Sequence, residues 1–183
     1  MSILQSYNYN SSLPSSTYFF NTCSAIEALH THLLKDRFKE ETGKKKKEMK
    51  KQRDAIKKLI ENEDLKAFFI EKAAYWSKFS LRERINGWSI ELEKITKNVF
   101  TNTNYSTINE LIDVIVKTRN DIAHNGLWNE HIKDEFDLYL VSKSLELLLK
   151  YEIAMFIGYP EEKCKELLEK SNEILIHLRD INA

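Results

Sequence analysis

Apolar residues recur at every third or fourth position along most of this chain, the spacing of amphipathic helices rather than of strands. Between about Thr17 and Glu40, the positions Phe19, Phe20, Cys23, Ile26, Leu29, Leu33 and Leu34 predict a first helix. The stretch "TGKKKKEMKKQRDAIKKLIEN" is polar in its first half and carries only a weak stripe at Met49, Ile56 and Ile60. A short helix capped by Asp64 is expected in "DLKAFFIEKAAYWSKF". In "SLRERINGWSIELEKITKNVF", Ser80 and Glu83 have capping-box spacing, and Leu81, Ile85, Trp88, Leu92, Ile95 and Val99 follow one face. That pattern predicts a single helix, in which Gly87 costs some propensity. A second capping box, Thr107 with Glu110, starts a helix that Asn125-Gly126 ends. A long helix from about Ile132 to Ile157 follows, and Pro160 opens a last one through Leu178.

No strand pair carries a hairpin signal and no repeat is visible, so the expected fold is all-α, a bundle of about six or seven helices. The first 17 residues, rich in Ser, Asn and Tyr around Pro14, read as an irregular arm, and 18–183 as one helical domain.

Composition supports this. A hydrophobic share of 42% in 183 residues is enough for a core, while 4 Gly and 2 Pro leave little for tight turns. Formal net charge is zero, which excludes a uniformly basic coat for nucleic acid. Charge is unevenly placed, however: Lys35 to Lys58 holds twelve Lys or Arg against five Asp or Glu. Lys44, Lys45, Lys46, Lys47, Lys50, Lys51 and Arg53 are either a solvated helix face or a footprint for a polyanion such as RNA.

Cys23 and Cys164 are far apart with no Cys-x-x-Cys partner, so neither a zinc site nor a disulfide framework is indicated. Two free thiols in a reducing cytoplasm fit better. No run of about 18 apolar residues predicts a membrane span, and the N-terminus lacks the basic and apolar regions of a signal peptide. A soluble cytoplasmic chain without metal or cofactor is the expectation.

The candidate chemistry lies in "VIVKTRNDIAHNGLW". On a helical wheel, Ile108, Leu111, Ile115, Thr118 and Ile122 form the ordinary core stripe. Ile112, Val116, Arg119, Asn120 and Ala123 form a second stripe, with His124 at its edge, whereas Asp121 points elsewhere. A helix apolar on two sides is central in a bundle or packed against a second molecule. The Asn-Gly stop puts His124 in the last turn, where the macrodipole favours a protonated ring. Imidazole can move a proton, guanidinium can bind phosphate, and an amide can hold a phosphate oxygen. Together they suit cleavage of an RNA phosphodiester by the adjacent 2′-hydroxyl. From spacing alone, simple capping of a helix C-terminus by His124 is the favoured explanation.

The segment "RNDIAHN" resembles the R-x(4–6)-H signature of the HEPN superfamily, whose members often carry a polar residue directly after the Arg. "CSAIEALHTHLL" and "SLRERI" are similar to the Apea-like HEPN branch, and the likeness spans about Phe20 to Leu178. It implies a four-helix core with additions, and a homodimer that brings two such motifs into one cleft. It also implies a metal-independent endoribonuclease of a prokaryotic defence or toxin–antitoxin system, controlled by an antitoxin or other regulatory protein. Arg119 and His124 match the motif's fixed positions and Asn120 its polar position. Ile112, Val116 and Ala123 are then expected at the dimer seam. Where HEPN toxins modified by a nucleotidyltransferase antitoxin carry Tyr, two places after the His, this chain has Gly126, so that route is not expected here.

Trp128 is the best aromatic candidate to meet RNA, and His131, in the loop after the motif, is a further one. Trp76 and Trp88 read as core or seam, and His30 and His32 as core or surface. The alternatives to a nuclease are a non-catalytic HEPN dimerisation or RNA-binding module of a larger defence protein, and a helical adaptor in which Arg119 and His124 only pack and cap.

Overall fold

The computed structural model describes residues 15–33, 39–73, 79–100, 105–126 and 132–182. Among these, the secondary structure is helical throughout, in agreement with the all-α expectation: α1 (Ser15–Ala28), a π-helical segment (Leu29–Leu33), α2 (Lys39–Leu59), α3 (Glu63–Ala73), α4 (Leu81–Asn86), α5 (Ser89–Thr96), α6 (Ile108–Asn125), α7 (Glu135–Phe156) and α8 (Glu161–Asn182). The first helix begins at Ser15, inside the stretch expected to be irregular. It gives way to the π segment at Leu29 rather than running on as α-helix to Glu40.

The chain divides into two compact units, one up to Leu29 and again from Leu81 onward, the other His30–Ser80. In the first, α7 is the central element. It packs against α1, α5 and α8, while α6 packs against α1, α4 and α5. Leu138, Leu140, Val141, Leu145, Leu147, Leu148 and Leu149 are buried over most of its circumference, with a strip at Tyr139, Lys143 and Lys150 left toward solvent. The polar groups that such a helix does bury need partners within the protein. Ser142 and Ser144 accordingly donate to Leu138 O (2.7 Å) and Leu140 O (2.8 Å) one turn back. Buried Glu146 accepts from Lys143 Nζ (2.7 Å), from Lys150 and from the Tyr18 hydroxyl of α1. Burial pushes its carboxyl up, but these donors outweigh it and hold the group below its usual range. Asp137 behaves oppositely: burial raises it, although Tyr105 donates to it at 2.9 Å.

The expected single helix over 81–99 is two. Gly87 and Trp88 interrupt it with a tight turn in which Trp88 N–H donates to Ile85 O (2.9 Å). The indole is thereby turned fully into the core, at 1% exposure. Burial of the Trp88 indole offsets backbone bonds given up at the break, and glycine is the weak link where the break falls. The end of α5 is finished by α8, whose Asn172 Nδ2 donates to Ile95 O and Lys97 O, both at 2.8 Å. Cys23 and Cys164 are buried free thiols.

The second unit holds α2 packed on α3. Helix α2 starts at Lys39, ahead of Gly43, and none of its residues is buried. The N-terminus of α3 is served by Asn62, whose Oδ1 accepts from Leu65 N–H at 3.0 Å, so Asn62 replaces Asp64 as the cap. His30 is buried against the Phe79 ring, 5.2 Å between centroids, and His32 is exposed.

Among the described residues, no helix is long and apolar enough to cross a membrane, and no cluster of His, Cys, Asp and Glu is arranged to hold a metal ion.

Candidate functional site

Helix α6 carries the site, and both its ends are set by local sequence. At the start, Thr107 Oγ1 accepts from Glu110 N–H (3.3 Å) and Glu110 Oε2 accepts from Thr107 N–H (3.1 Å), the reciprocal pair expected of a capping box. Hydrogen bonds from Ser106, backbone first, and then from Thr107 hold the Glu110 carboxyl below its usual range. At the other end Gly126 adopts φ 73°, a left-handed conformation, and its N–H closes on Ile122 O at 3.0 Å. His124 therefore stands in the last turn, and its side chain is exposed.

Leu111, Ile115 and Thr118 are buried, as the first stripe of the wheel requires, with Ile108 and Ile122 at its partly covered ends. The second stripe divides. Ile112 is 0% exposed and belongs to the protomer's own core, so it is not available to a dimer seam. The helix lies against α1, α4 and α5, and the wheel could not say how wide a sector three neighbours cover. Val116 and Arg119 are half-buried, while Asn120, Ala123 and His124 are exposed. Those five residues run along one edge of α6, and Asn120 and His124 sit one turn apart.

Arg119 is held from α1. Its Nη2 lies 3.3 Å from Glu27 Oε2, and its Cζ lies 5.6 Å from the centre of the Phe20 ring. Nη1 points to Asn120 Oδ1 at 3.4 Å, a long contact. Nε is shut away from solvent without a hydrogen-bond partner, as is Asp121 Oδ2. Asp121 bonds neither Arg119 nor His124 among the described residues. Helix α4 is tied to the same region twice. Arg82 pairs with Asp113 of α6, and buried Arg84 donates from Nη1 to Glu27 O at 3.2 Å. Burial lowers the Arg84 guanidinium, partly offset by the Glu27 and Glu83 carboxylates.

The sequence pattern missed Glu27 and Phe20 as partners of the motif. The signal was present: Phe20, Cys23 and Glu27 are spaced i, i+3, i+7, which puts an acidic residue in line with an apolar stripe of α1.

The structure joins Arg119 to Asn120, while His124 stands exposed one turn after Asn120 with no hydrogen bond to either among the described residues. Trp128 and His131 lie outside the described residues, as does Trp76. The basic residues are on α2 of the other unit. Lys44, Lys46, Lys47, Lys50 and Lys51 are exposed, Lys45 and Arg53 half-buried. Successive residues are about 100° apart on a helix, so the four consecutive lysines surround α2 instead of lining one face. Several are engaged locally: Lys44 with Glu40 at 2.7 Å, Arg53 with Asp54 at 3.6 Å, and Lys45 over the Phe79 ring at 4.9 Å.

An exposed imidazole one turn from an amide, on the same helix as a partly buried, oriented guanidinium, supplies groups able to bind a phosphodiester and move a proton to or from it. The model of the Apea-like HEPN family matches residues 20–163, which include α6 and the α1 residues that hold Arg119. No curated protein and no solved structure matches the chain.

Proposed function

The chain belongs to the Apea-like HEPN family, and on that premise we propose that it is an endoribonuclease acting without a metal, of the kind found in prokaryotic defence and toxin–antitoxin systems. The observation that carries this reading is the arrangement along the edge of α6: His124 exposed in the last turn, Asn120 one turn before it, and Arg119 oriented from below.

In this reading the RNA 2′-hydroxyl attacks the adjacent phosphorus. The O2′–P bond forms, the P–O5′ bond breaks, and the products are a 2′,3′-cyclic phosphate and a 5′-hydroxyl. One imidazole takes the 2′-hydroxyl proton and another, protonated, supplies the proton to O5′. A homodimer provides the two imidazoles, one His124 from each copy. Arg119 stabilises the charge that gathers on the phosphoryl oxygens, and Asn120 holds one of those oxygens. The exposed edge with Val116 and Ala123 is the surface proposed for the second copy. The lysines of α2 add sequence-independent attraction to RNA.

Incubation with RNA in EDTA tests this, with Arg119→Ala and His124→Ala alongside. Cleavage by the wild type, lost in both variants and leaving cyclic phosphate ends, is the expected result. An inert wild type, or cleavage that survives both changes, defeats it.

A second reading is a non-catalytic HEPN module for dimerisation or RNA binding. The Glu27 carboxylate favours it, because it offsets the Arg119 charge on which a phosphate would draw. Equal RNA retention by wild type and His124→Ala, without cleavage, would select this reading.

A further inference from the structure

We propose that Glu27 and Phe20 form a socket on α1 that positions the Arg119 guanidinium, leaving Nη1 as the single arm presented to an RNA phosphate; this rests on the ribonuclease reading above. A guanidinium is a planar fork with five N–H donors in fixed directions, so holding one side of it aims the other. Nη2 is held by the Glu27 carboxylate at 3.3 Å. The Phe20 ring lies 5.6 Å from Cζ, within reach of a cation–π contact. Nε is shut off from solvent without a hydrogen-bond partner among the described residues. Among the described residues, only Nη1 faces an exposed neighbour, Asn120, at the long distance of 3.4 Å. A charged phosphate oxygen makes a shorter and stronger bond than that amide, so it displaces Asn120 Oδ1 from Nη1.

The socket is itself braced. Glu27 O accepts from Arg84 Nη1 at 3.2 Å, and Arg84 is only 9% exposed, so α1, α4 and α6 meet at this residue. Cys23, one turn before Glu27, is 0% exposed. Burial first, then the Glu27 carboxylate, hold its thiol far above the ordinary range, so it stays neutral and adds no competing charge.

A carboxylate beside the phosphate-binding group has a cost, since it cancels part of the attraction. With the two side chains 27% and 32% exposed, solvent screens only part of that cancellation. Misplacing a catalytic contact by ~1 Å, by contrast, can cost ~100-fold in rate. Positioning outweighs the lost attraction.

The test uses the full chain with Glu27→Ala and Glu27→Gln, thermal unfolding confirming that each is folded. Glutamine keeps an acceptor at the same reach without the charge. Glu27→Asp, one methylene short, replaces the alanine variant should that one fail to fold. Cleavage by Glu27→Ala is expected to fall about 10- to 100-fold in kcat, with KM changed by less than about threefold, and Glu27→Gln is expected to retain most of the rate. A second readout does not depend on activity: solvent exchange of the Arg119 Nε–H by NMR, slow in the wild type and in Glu27→Gln, fast in Glu27→Ala. Cleavage by Glu27→Ala at or above the wild-type rate overturns the proposal, as does unchanged protection of Nε–H. An inert wild type sinks the ribonuclease reading instead, and the exchange measurement still decides whether Glu27 positions Arg119.

Discussion

Arg119 Nη2 and Glu27 Oε2 lie 3.3 Å apart although 92 positions separate the two residues in the chain. The contact joins α1 to the helix that carries the R-x-x-x-x-H motif, and it governs what a conservative change at Arg119 does. Lysine there keeps a charge and three donors but lacks the planar fork, so holding Glu27 on one side no longer aims a donor at a phosphate on the other. Arg119→Lys is expected to lower kcat for RNA cleavage by about 10²- to 10³-fold, the usual loss when a transition-state donor is removed. Steady-state kinetics on a short RNA checks it, and near-normal turnover would mean that charge alone is sufficient.

Ile112 and Ala123 separate core from edge on the same helix. Ile112 is completely buried, so Ile112→Ala should destabilise the fold by about 2–5 kcal/mol. Ala123 is exposed, and Ala123→Glu should change stability by no more than about 0.5 kcal/mol. Urea denaturation measures both. If the edge of α6 is where two copies meet, Ala123→Glu also shifts sedimentation toward the monomer and reduces cleavage.

Gly126 sets the last turn of α6 with φ 73° and no atom within 4 Å of an added Cβ. Alanine there clashes with nothing but must take a left-handed conformation, at about 1–2 kcal/mol. Gly126→Ala should therefore lower Tm modestly and loosen the turn that presents His124. Reduced cleavage at a temperature where the variant is still folded is the expected outcome. Full activity would show that the position of His124 does not depend on this cap.

Acid should act on the bundle through Glu146. Its folded-state carboxyl is held below the usual range by Lys143, Lys150 and Tyr18, against the opposing effect of burial. The sign follows: the native state binds this proton less readily than the unfolded chain does, so the stabilisation is complete above the unfolded pKa of about 4.3. It is lost as pH falls through the lower folded-state value. Asp137, raised by burial, works the other way. Its neutral form is favoured in the fold, so it lessens stability as pH rises above its unfolded value. Glu146→Gln should cost about 1–2 kcal/mol at neutral pH and flatten the acid limb of a stability–pH curve measured by urea unfolding. An unchanged acid limb would remove Glu146 from the account.

Where the controlling interactions are local, the chain is legible from its residues. The capping box at Thr107 and Glu110 and the stop at Gly126 each involve neighbours within four positions, and local chemistry decides them. The core stripe of Leu111, Ile115 and Thr118 was legible for the same reason, since helical period alone selects it. The break at Gly87 was not, because it depends on a core shape that accepts the Trp88 indole. Nor was the end of α5, which is capped by Asn172 from 75 and 77 positions away.

The sequence by itself determined an all-α fold, both limits of α6, and a motif placing Arg119, Asn120 and His124 near the end of that helix. These follow from periodicity and capping, which act over one or two turns. Tertiary structure decided the rest. It put Ile112 in the core, since the packing of α1, α4 and α5 sets how much of α6 is covered. It also set Glu27 and Phe20 against Arg119, because an ion pair across 92 positions exists only once α1 and α6 have packed together.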